Sequence, residues 1–310
     1  MLVPVVEQFV KNYHKQIVIL HIMKISLLVV SCLVVLALPA KAQYASEAYE
    51  LNGEYGVTIG AAHYFGDLNT RAKINRLKPA IGVFFRKQFN NYLGIRIAGH
   101  YAQVGYSDTY SKNDFQKARN LSFNSDIYEF SVSGDFNFFK FIPGNPNYGF
   151  TPYITLGLGI FSYNPYAYLD NQKIYLRPLG TEGQNIGYED PITGKKRKPY
   201  GSMSVCVPLG IGLKYNVNDQ FSFFVQAAQR LTFTDYLDDV STTYIGSDKF
   251  LNNSGQLTTA GILQDRSYEK GQIIGVEGRQ RGWSKQKDQY MIVEIGFSFA
   301  ISSYNCPSTN

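Results

Sequence analysis

Cysteine, tryptophan, histidine and charge are all scarce in this chain. Of 310 residues, three are Cys, one is Trp and four are His, and charged residues make up 17%. No C-x-x-C pair and no His/Cys spacing of a metal site occurs, which excludes the common zinc modules. We expect no disulfide between Cys206 and Cys306, because they should lie near opposite ends of the predicted wall. The net charge is only +6, and without an arginine-rich helix no nucleic-acid partner is predicted.

Long hydrophobic runs are also lacking, apart from one near the N-terminus. Lys24 precedes the apolar run Ile25–Leu38, and Ala40-Lys41-Ala42 has the form of an A-x-A cleavage site. The run holds about 14 apolar residues, fewer than the roughly 20 of a transmembrane helix. We therefore predict that residues 1–42 are an N-terminal extension and signal peptide, removed after Ala42. Residues 43–310 form the mature domain, and translation starts at Met1 or at Met23.

What the chain does contain is alternation of apolar and polar residues with a period of two, which is the pattern of a β-strand. In 202–215, every second residue from Met203 to Tyr215 is large and apolar. The residues between them are small or polar, as Ser204, Gly210 and Gly212 are. A wall with one oily face and one polar face separates lipid from a polar interior.

Eight stretches share this pattern, at about 54–66, 79–89, 92–106, 123–139, 148–163, 202–215, 220–234 and 288–304. The links after the second, fourth and sixth are short, and the others are longer. Outer-membrane barrels have this combination of short periplasmic turns and long external loops. We predict an all-β fold, an eight-stranded antiparallel up-and-down transmembrane barrel with long extracellular loops, in the outer membrane. A soluble lipocalin-like barrel, with its apolar face inside, is the alternative.

An eight-stranded barrel is only wide enough for side chains to fill it. The inward positions carry charges of both signs, and unpaired buried charge is expensive. We therefore predict a network of ion pairs that plugs the barrel and makes it a rigid anchor, with a small gated channel as the alternative. The charged members of this network are Arg86, Arg96, Glu129, Asp135, Lys214, Arg230 and Glu294.

Two histidines lie in the predicted strands, and one of them could be a catalytic group. His63 has the lipid-facing register near the outer end of the first strand, and a His beside a Ser could deacylate lipid. No Ser is placed next to it by spacing, so an interfacial His beside Tyr64 and Phe65 is favoured. His100 faces inward and should pack among polar groups. We assign no catalytic, cofactor-binding or metal-binding residue.

Two loop segments are dense in charge. Asp235, Asp238 and Asp239 could bind calcium, but their spacing matches no EF-hand, and a loop cap bonded to its own backbone is favoured. The run Lys195–Lys198 could contact lipopolysaccharide phosphates. A solvated, mobile loop tip explains that run equally well.

Several segments together resemble the Bacteroidota outer-membrane barrel family that includes the PorG component of the type IX secretion system. The resemblance covers about 50–300. The run Thr234–Tyr244 and the Leu-Gly-Thr-Glu-Gly-Gln run within Pro178–Gln184 are its specific parts. The weaker segments are Tyr64–Asn69, Arg119–Phe123, Thr151–Tyr153, Gln280–Gly282 and Asp288–Tyr290.

The resemblance implies a non-enzymatic barrel that associates with the periplasmic lipoprotein ring of that machinery and helps to anchor it. It implies no cofactor. A general structural or small pore-forming barrel is the alternative, followed by a lipid A-modifying enzyme. Two segments depart from the family. The stretch before Met23 affects only the assignment of the start site. The basic insertion Lys195–Lys198 leaves open that this chain is a paralogue with another role at the cell surface. We expect specific structure or contacts at Gly66, Asp67, Thr181, Glu182, Gly183, Asp235, Tyr236, Asp238 and Asp239.

Overall fold

A computed structural model describes residues 51–142, 145, 147–191, 194–218 and 220–302. The predicted signal peptide and Cys306 lie outside these ranges. The strands within them are β1 Leu51–Phe65, β2 Lys78–Gln88, β3 Leu93–Ser107, β4 Ser122–Asn137, β5 Phe150–Ser162, β6 Tyr166–Leu169, β7 Gln172–Tyr175, β8 Met203–Asn216, β9 Phe221–Thr232 and β10 Gln289–Ser302. Two α-helices, Asp114–Arg119 and Thr259–Gln264, and three short 3-10 turns lie in the loops.

Eight of these strands close on themselves. The sheet runs β3-β2-β1-β10-β9-β8-β5-β4, and β3 also pairs with β4 along its whole length. Every pairing among the described strands is antiparallel, including that of β1 with β10, the first and last of them. The predicted eight-stranded up-and-down barrel is therefore confirmed. Among the described residues, no helix is both long and apolar enough to cross a membrane.

The pleat of each strand sorts its side chains by polarity. In β4, Glu129 and Asp135 are buried inside the barrel, whereas their neighbours Phe130 and Phe136 are exposed on the outer wall. In β8, Leu209 and Ile211 face outward in the same way. An exposed apolar wall around a charged interior would be unstable in water and is the arrangement of a membrane-spanning barrel. The soluble lipocalin-like alternative is wrong, because it needs the opposite arrangement.

The long loops and the short turns lie at opposite ends, which we call the outer end and the inner end. Each long loop contributes at least one apolar side chain to a cluster at the outer mouth of the barrel. Leu68, Leu121, Leu176 and Leu237 are buried there in one cluster with Tyr64 of β1 and other strand residues. Because every loop contributes to this cluster, the four loops form a single layer over the barrel. We call this layer the cap, meaning the described residues of 66–77, 108–121, 163–202 and 233–288.

A hairpin within the third long loop was not predicted. β6 and β7 pair with each other, and Tyr166 of β6 pairs with Asn124 of β4, so the hairpin extends the sheet where β5 has diverged. The turn between them is Asp170-Asn171, with φ of 50° and 62°. Asp and Asn tolerate this left-handed conformation, which two-residue hairpin turns require. The Asp-Asn dipeptide is therefore the feature of the sequence that could have indicated this hairpin.

Candidate functional site: the charged lumen and the cap

The inner half of the lumen holds one group of ion pairs. Arg86 on β2 lies directly opposite Arg96 on β3, and two like charges side by side need nearby anions. Asp135 of β4 supplies one, with Oδ2 at 3.0 Å from Arg86 Nε and 3.0 Å from Lys214 Nζ. Glu54 of β1 supplies another, with Oε2 at 3.4 Å from Arg86 Nη1.

The outer half of the lumen holds a second group, centred on His100 of β3. Its ring lies between Glu129 and Glu294, at 3.6 Å and 3.1 Å from their carboxylate oxygens. Arg230 donates to Glu129 across 3.1 Å, and Arg96 lies 3.9 Å from Glu294. The position of His100 among polar lumen groups agrees with the sequence prediction.

All seven charged residues expected in the lumen are buried there. The sequence prediction contained four cations and only three carboxylates, and it omitted Glu54, which provides the fourth. Its inward register beside Arg86 was the available signal. Phe84, Phe224 and Tyr153 fill space between these charges, and the Arg86 guanidinium lies 4.8 Å from the Phe224 ring centre. The lumen charges therefore balance when His100 is neutral.

In the cap, the third and fourth long loops are joined by an ion pair. Arg281 Nη1 donates to Glu182 Oε1 across 3.0 Å, and the same guanidinium donates to the Asp239 carbonyl oxygen. Glu182 also accepts from the backbone N–H groups of Ser241 and Thr242. Glu182 and Arg281 are fully buried, so their role is to hold the two loops together.

A second buried arginine joins the first, second and fourth long loops. Arg119 forms a bidentate pair with Asp108, with both N–H···O distances at 2.7 Å. It also donates to the carbonyl oxygens of Asp67 and Arg281. Bidentate arginine–carboxylate pairs have a fixed geometry, so Arg119 sets the relative positions of these loops.

The predicted aspartates of the fourth loop face other acids and hydroxyls. Asp238 and Asp288 both contact the Tyr64 hydroxyl, at 2.6 Å and 2.9 Å. Burial raises the pKa of both well above the usual range, and nearby carboxylates add to it: Asp288 and Asp67 for Asp238, and Asp67 and Asp235 for Asp288. Burial also raises the pKa of Asp67 and Asp239 to about 6 and that of Asp235 to about 7. These buried carboxyl groups therefore stay protonated at a moderately acidic pH at which an exposed aspartate is ionised.

Each aspartate of the predicted segment has a protein partner. Asp235 accepts from the Ser241 hydroxyl, Asp238 from the Val240 N–H and Asp239 from the Tyr200 and Thr181 hydroxyls. The described residues contain no cluster of three His, Cys, Asp or Glu that could hold a metal ion. The three aspartates thus accept hydrogen bonds from backbone and hydroxyl groups of the cap itself.

Three further predicted residues also shape the cap. A Cβ at Gly66 would clash with Asp288 Oδ1 and the Tyr64 hydroxyl. Gly183 has a φ of +83°, which favours glycine. Tyr236 stacks on Tyr200 with ring centres 4.5 Å apart and planes 7° apart. Most of the predicted contact residues are thus buried, and they are unavailable to a partner while the cap is closed.

The basic run of the third loop is not uniformly solvated. Arg197 is buried and donates to the Glu182 and Thr243 carbonyl oxygens and to Asp190. The expectation of a free basic tip, whether solvated or on phosphate, is therefore wrong for Arg197, because its side chain turns into the cap. Lys195, Lys196 and Lys198 remain exposed.

His63 does not face lipid. It is fully buried, and its ring nitrogens contact the carbonyl oxygens of Lys73 and Arg76 in the first long loop. The amide nitrogen of Asn69 lies 3.2 Å from Nε2, and the ring also packs edge-on against Phe65 and Tyr106. The prediction of an exposed interfacial histidine is wrong because that loop covers the ring. Among the described residues, no hydroxyl or carboxylate nucleophile contacts its ring nitrogens.

Comparison with known proteins gives a partial family match. Residues 27–179, just under half of the chain, match the family model described as a domain of unknown function, DUF6089. The match includes β1–β5 and ends within the third long loop. No curated protein sequence matches the chain.

Solved structures of outer-membrane proteins are similar at low identity. Ail, the attachment invasion locus protein of Yersinia pestis, is 12% identical with a TM-score of 0.34, covering 80% of this chain and 99% of its own. The N-terminal barrel domain of Pseudomonas aeruginosa OprF is 10% identical with a TM-score of 0.34, covering 80% and 99%. Neisserial surface protein A is 8% identical with a TM-score of 0.39, covering 80% and 97%.

Proposed function

We propose that this chain is a non-enzymatic, integral outer-membrane protein that serves as a rigid anchor rather than as a pore. The observation that carries the proposal is the filled lumen, in which buried cations and carboxylates pair, beneath a cap whose loops are joined by buried ion pairs. Buried ion pairs of this kind contribute little net stability, but removal of one partner is strongly destabilising, so the interior resists rearrangement. The anchored machinery, by the family resemblance, is the type IX secretion system and its periplasmic lipoprotein ring.

The inner end supplies a surface that such a partner could use. Each short turn exposes large apolar side chains, and at least one of them follows closely on the preceding strand. Among them are Phe89 at 63%, Phe139 at 56% and Val217 at 53% exposure. Exposed aromatic and aliphatic groups at a rim are suited to the core of a protein interface. This end faces the periplasm if the long loops are external, as in other barrels.

Site-specific photo-crosslinking in native envelopes tests the anchor. A photoreactive residue at Phe139 or Val217 should capture subunits of the lipoprotein ring. The same residue at Lys198, on the outer end, is the matched control and should capture none. If the inner-end positions recover no secretion subunit, the secretion role is refuted, although the barrel itself is not.

A planar-bilayer recording tests the plug. Because side chains fill the lumen, the purified protein should show no steady conductance. A large and steady conductance would refute the plugged anchor and favour the pore-forming alternative.

A further inference from the structure

The first long loop, 66–77, lies beside the barrel wall. β1 continues to Phe65, whereas β2 begins only at Lys78, opposite Ala62. The end of β1 therefore has no β2 partner, and the loop lies in the place where that partner would be. The contacts of His63 with the backbone of Lys73 and Arg76 show this position. The loop thus lies at the outer edge of the lipid-facing wall.

Internal hydrogen bonds give this loop a defined shape. Asn69 is buried, accepts from the Lys73 N–H across 3.0 Å and donates to the Tyr64 carbonyl across 2.9 Å. Ala72 lies in the left-handed region with a φ of 48°. A loop shaped in this way presents its side chains in fixed directions.

The loop and the first residue of β2 carry four cations: Arg71, Lys73, Arg76 and Lys78. Two of them meet at Tyr110, where the Arg76 guanidinium lies 3.7 Å from the ring centre and Lys73 Nζ donates to the carbonyl across 3.2 Å. None of the four forms a salt bridge with a carboxylate of the described residues, whereas Lys173 pairs with Asp126 at 3.4 Å. Lys78 Nζ donates instead to the neutral Asn124 Oδ1 across 2.8 Å. The group is therefore a positive patch without an ion pair among these residues.

Apolar side chains lie among these cations. Ile74 is 60% exposed and Leu77 is 57% exposed, and Leu77 leads into β2, where Ile81 and Val83 continue the exposed apolar wall. A surface that presents cations above and hydrocarbon below matches a phosphorylated lipid, whose phosphates lie above its acyl chains.

We propose that 71–78 form a docking site for a phosphorylated lipid of the outer leaflet, with Arg71, Lys73 and Arg76 on its phosphates and Ile74 and Leu77 against its acyl chains. This inference rests on the outer-membrane location proposed above. It is independent of the secretion role, because binding of lipid to the purified barrel requires no partner protein.

The test uses the purified mature protein in detergent, with binding followed by native mass spectrometry. The probes are bisphosphorylated lipid A, the same lipid without its phosphates, and inorganic phosphate. The variant Arg71→Gln/Lys73→Gln/Arg76→Gln removes three charges but keeps the backbone carbonyls that hold His63. The matched control, Lys195→Gln/Lys196→Gln/Lys198→Gln, removes three exposed charges from the third loop. Heat-modifiable gel mobility verifies that each barrel is folded.

The first variant should lose about tenfold or more in affinity for bisphosphorylated lipid A, because it removes three cations that face the phosphates. The affinity of the control variant should change less than about twofold, because its three lysines lie outside the proposed site. An equal loss in both variants would overturn the proposal, since it would indicate attraction to overall charge. Unchanged affinity in the first variant, or equal binding of inorganic phosphate and lipid A, would overturn it as well.

Discussion

The hydroxyl of Tyr64, at the outer end of β1, donates to the buried carboxylate of Asp238, 174 positions later in the chain, across 2.6 Å. Asp288 Oδ1 lies 2.9 Å from the same hydroxyl oxygen. A tyrosine hydroxyl carries one proton and cannot donate to both acids, so the second contact requires a protonated carboxyl. The contact between the barrel and the cap at Tyr64 therefore depends on the protonation of one of these two carboxyl groups.

Substitution of Tyr64 by Phe should loosen the cap. The change removes the hydroxyl between two buried carboxyls and leaves them without this partner. We expect a loss of about 1–3 kcal/mol in unfolding free energy. Chemical unfolding in detergent measures it, and Tyr168→Phe, at a half-exposed position, is the control. Equal stability of the two variants would contradict the role of the hydroxyl.

The cap should lose stability as the pH rises from about 4 to about 7. Burial holds the pKa of Asp67 and Asp239 at about 6 and of Asp235 at about 7, against about 3.9 in an unfolded chain. The folded cap therefore binds more protons than the unfolded chain in this interval, and its stability is full below the interval and declines through it.

The single tryptophan provides the measurement. The backbone N–H of Trp283 donates to Asp67 Oδ2 across 2.9 Å within the cap, so the fluorescence of this residue should report on opening of the cap. Protease sensitivity of the fourth loop should rise over the same pH range. The variant Asp235→Asn should flatten part of the pH dependence. A cap that becomes more resistant between pH 5 and pH 7 would show that the sign is wrong.

Replacement of Asp135 by Asn should be among the most destabilising changes in the lumen. It leaves two buried cations, Arg86 and Lys214, without their shared anion, and loss of one partner from a buried pair costs about 3–5 kcal/mol. The measurement is the midpoint of unfolding in urea. Asp114→Asn, at an exposed position, should change stability by less than about 0.5 kcal/mol.

The double variant Asp135→Asn/Lys214→Met separates charge from shape. It removes one of the two orphaned cations, so it should recover part of the lost stability. If the double variant is no more stable than Asp135→Asn, the ion pair is not the cause.

A methyl group at Gly66 should disrupt the junction of barrel and cap. Because a Cβ there would clash with Asp288 and Tyr64, Gly66→Ala should lower stability and raise protease sensitivity. Gly99→Ala is the control, since a Cβ at that position meets nothing closer than Val83 Cγ2 at 3.9 Å. Similar behaviour of the two variants would contradict the close fit at Gly66.

Local patterns predicted the barrel because the pleat repeats every two residues. Alternation within 123–139 was enough to place Glu129 inside and Phe130 outside, the eight alternating stretches gave the strand count, and the link lengths indicated the topology. The hairpin β6–β7 was missed because its two strands have four residues each, too short for a periodic signal. His63 was misplaced because the register gives the face of a strand but not what covers it.

In the cap, sequence recognised segments but not their partners. The segments around Asp67, Arg281 and Asp288 were singled out, yet nothing local indicated that Arg119 would reach both Asp108 and the Asp67 carbonyl. Similarly, the run Lys195–Lys198 gave no sign that Arg197 alone would turn inward.

The sequence by itself determined the strand count, the closure and the two-sided wall. These follow from the two-residue period and from the preference of apolar side chains for lipid and of charged side chains for a polar interior. Only the tertiary structure decided which charges pair in the lumen, that Glu54 completes their balance, and that the acids of the four long loops are buried in one cap. Such pairings join residues far apart in the chain, and a local pattern contains no information about which distant group will meet which.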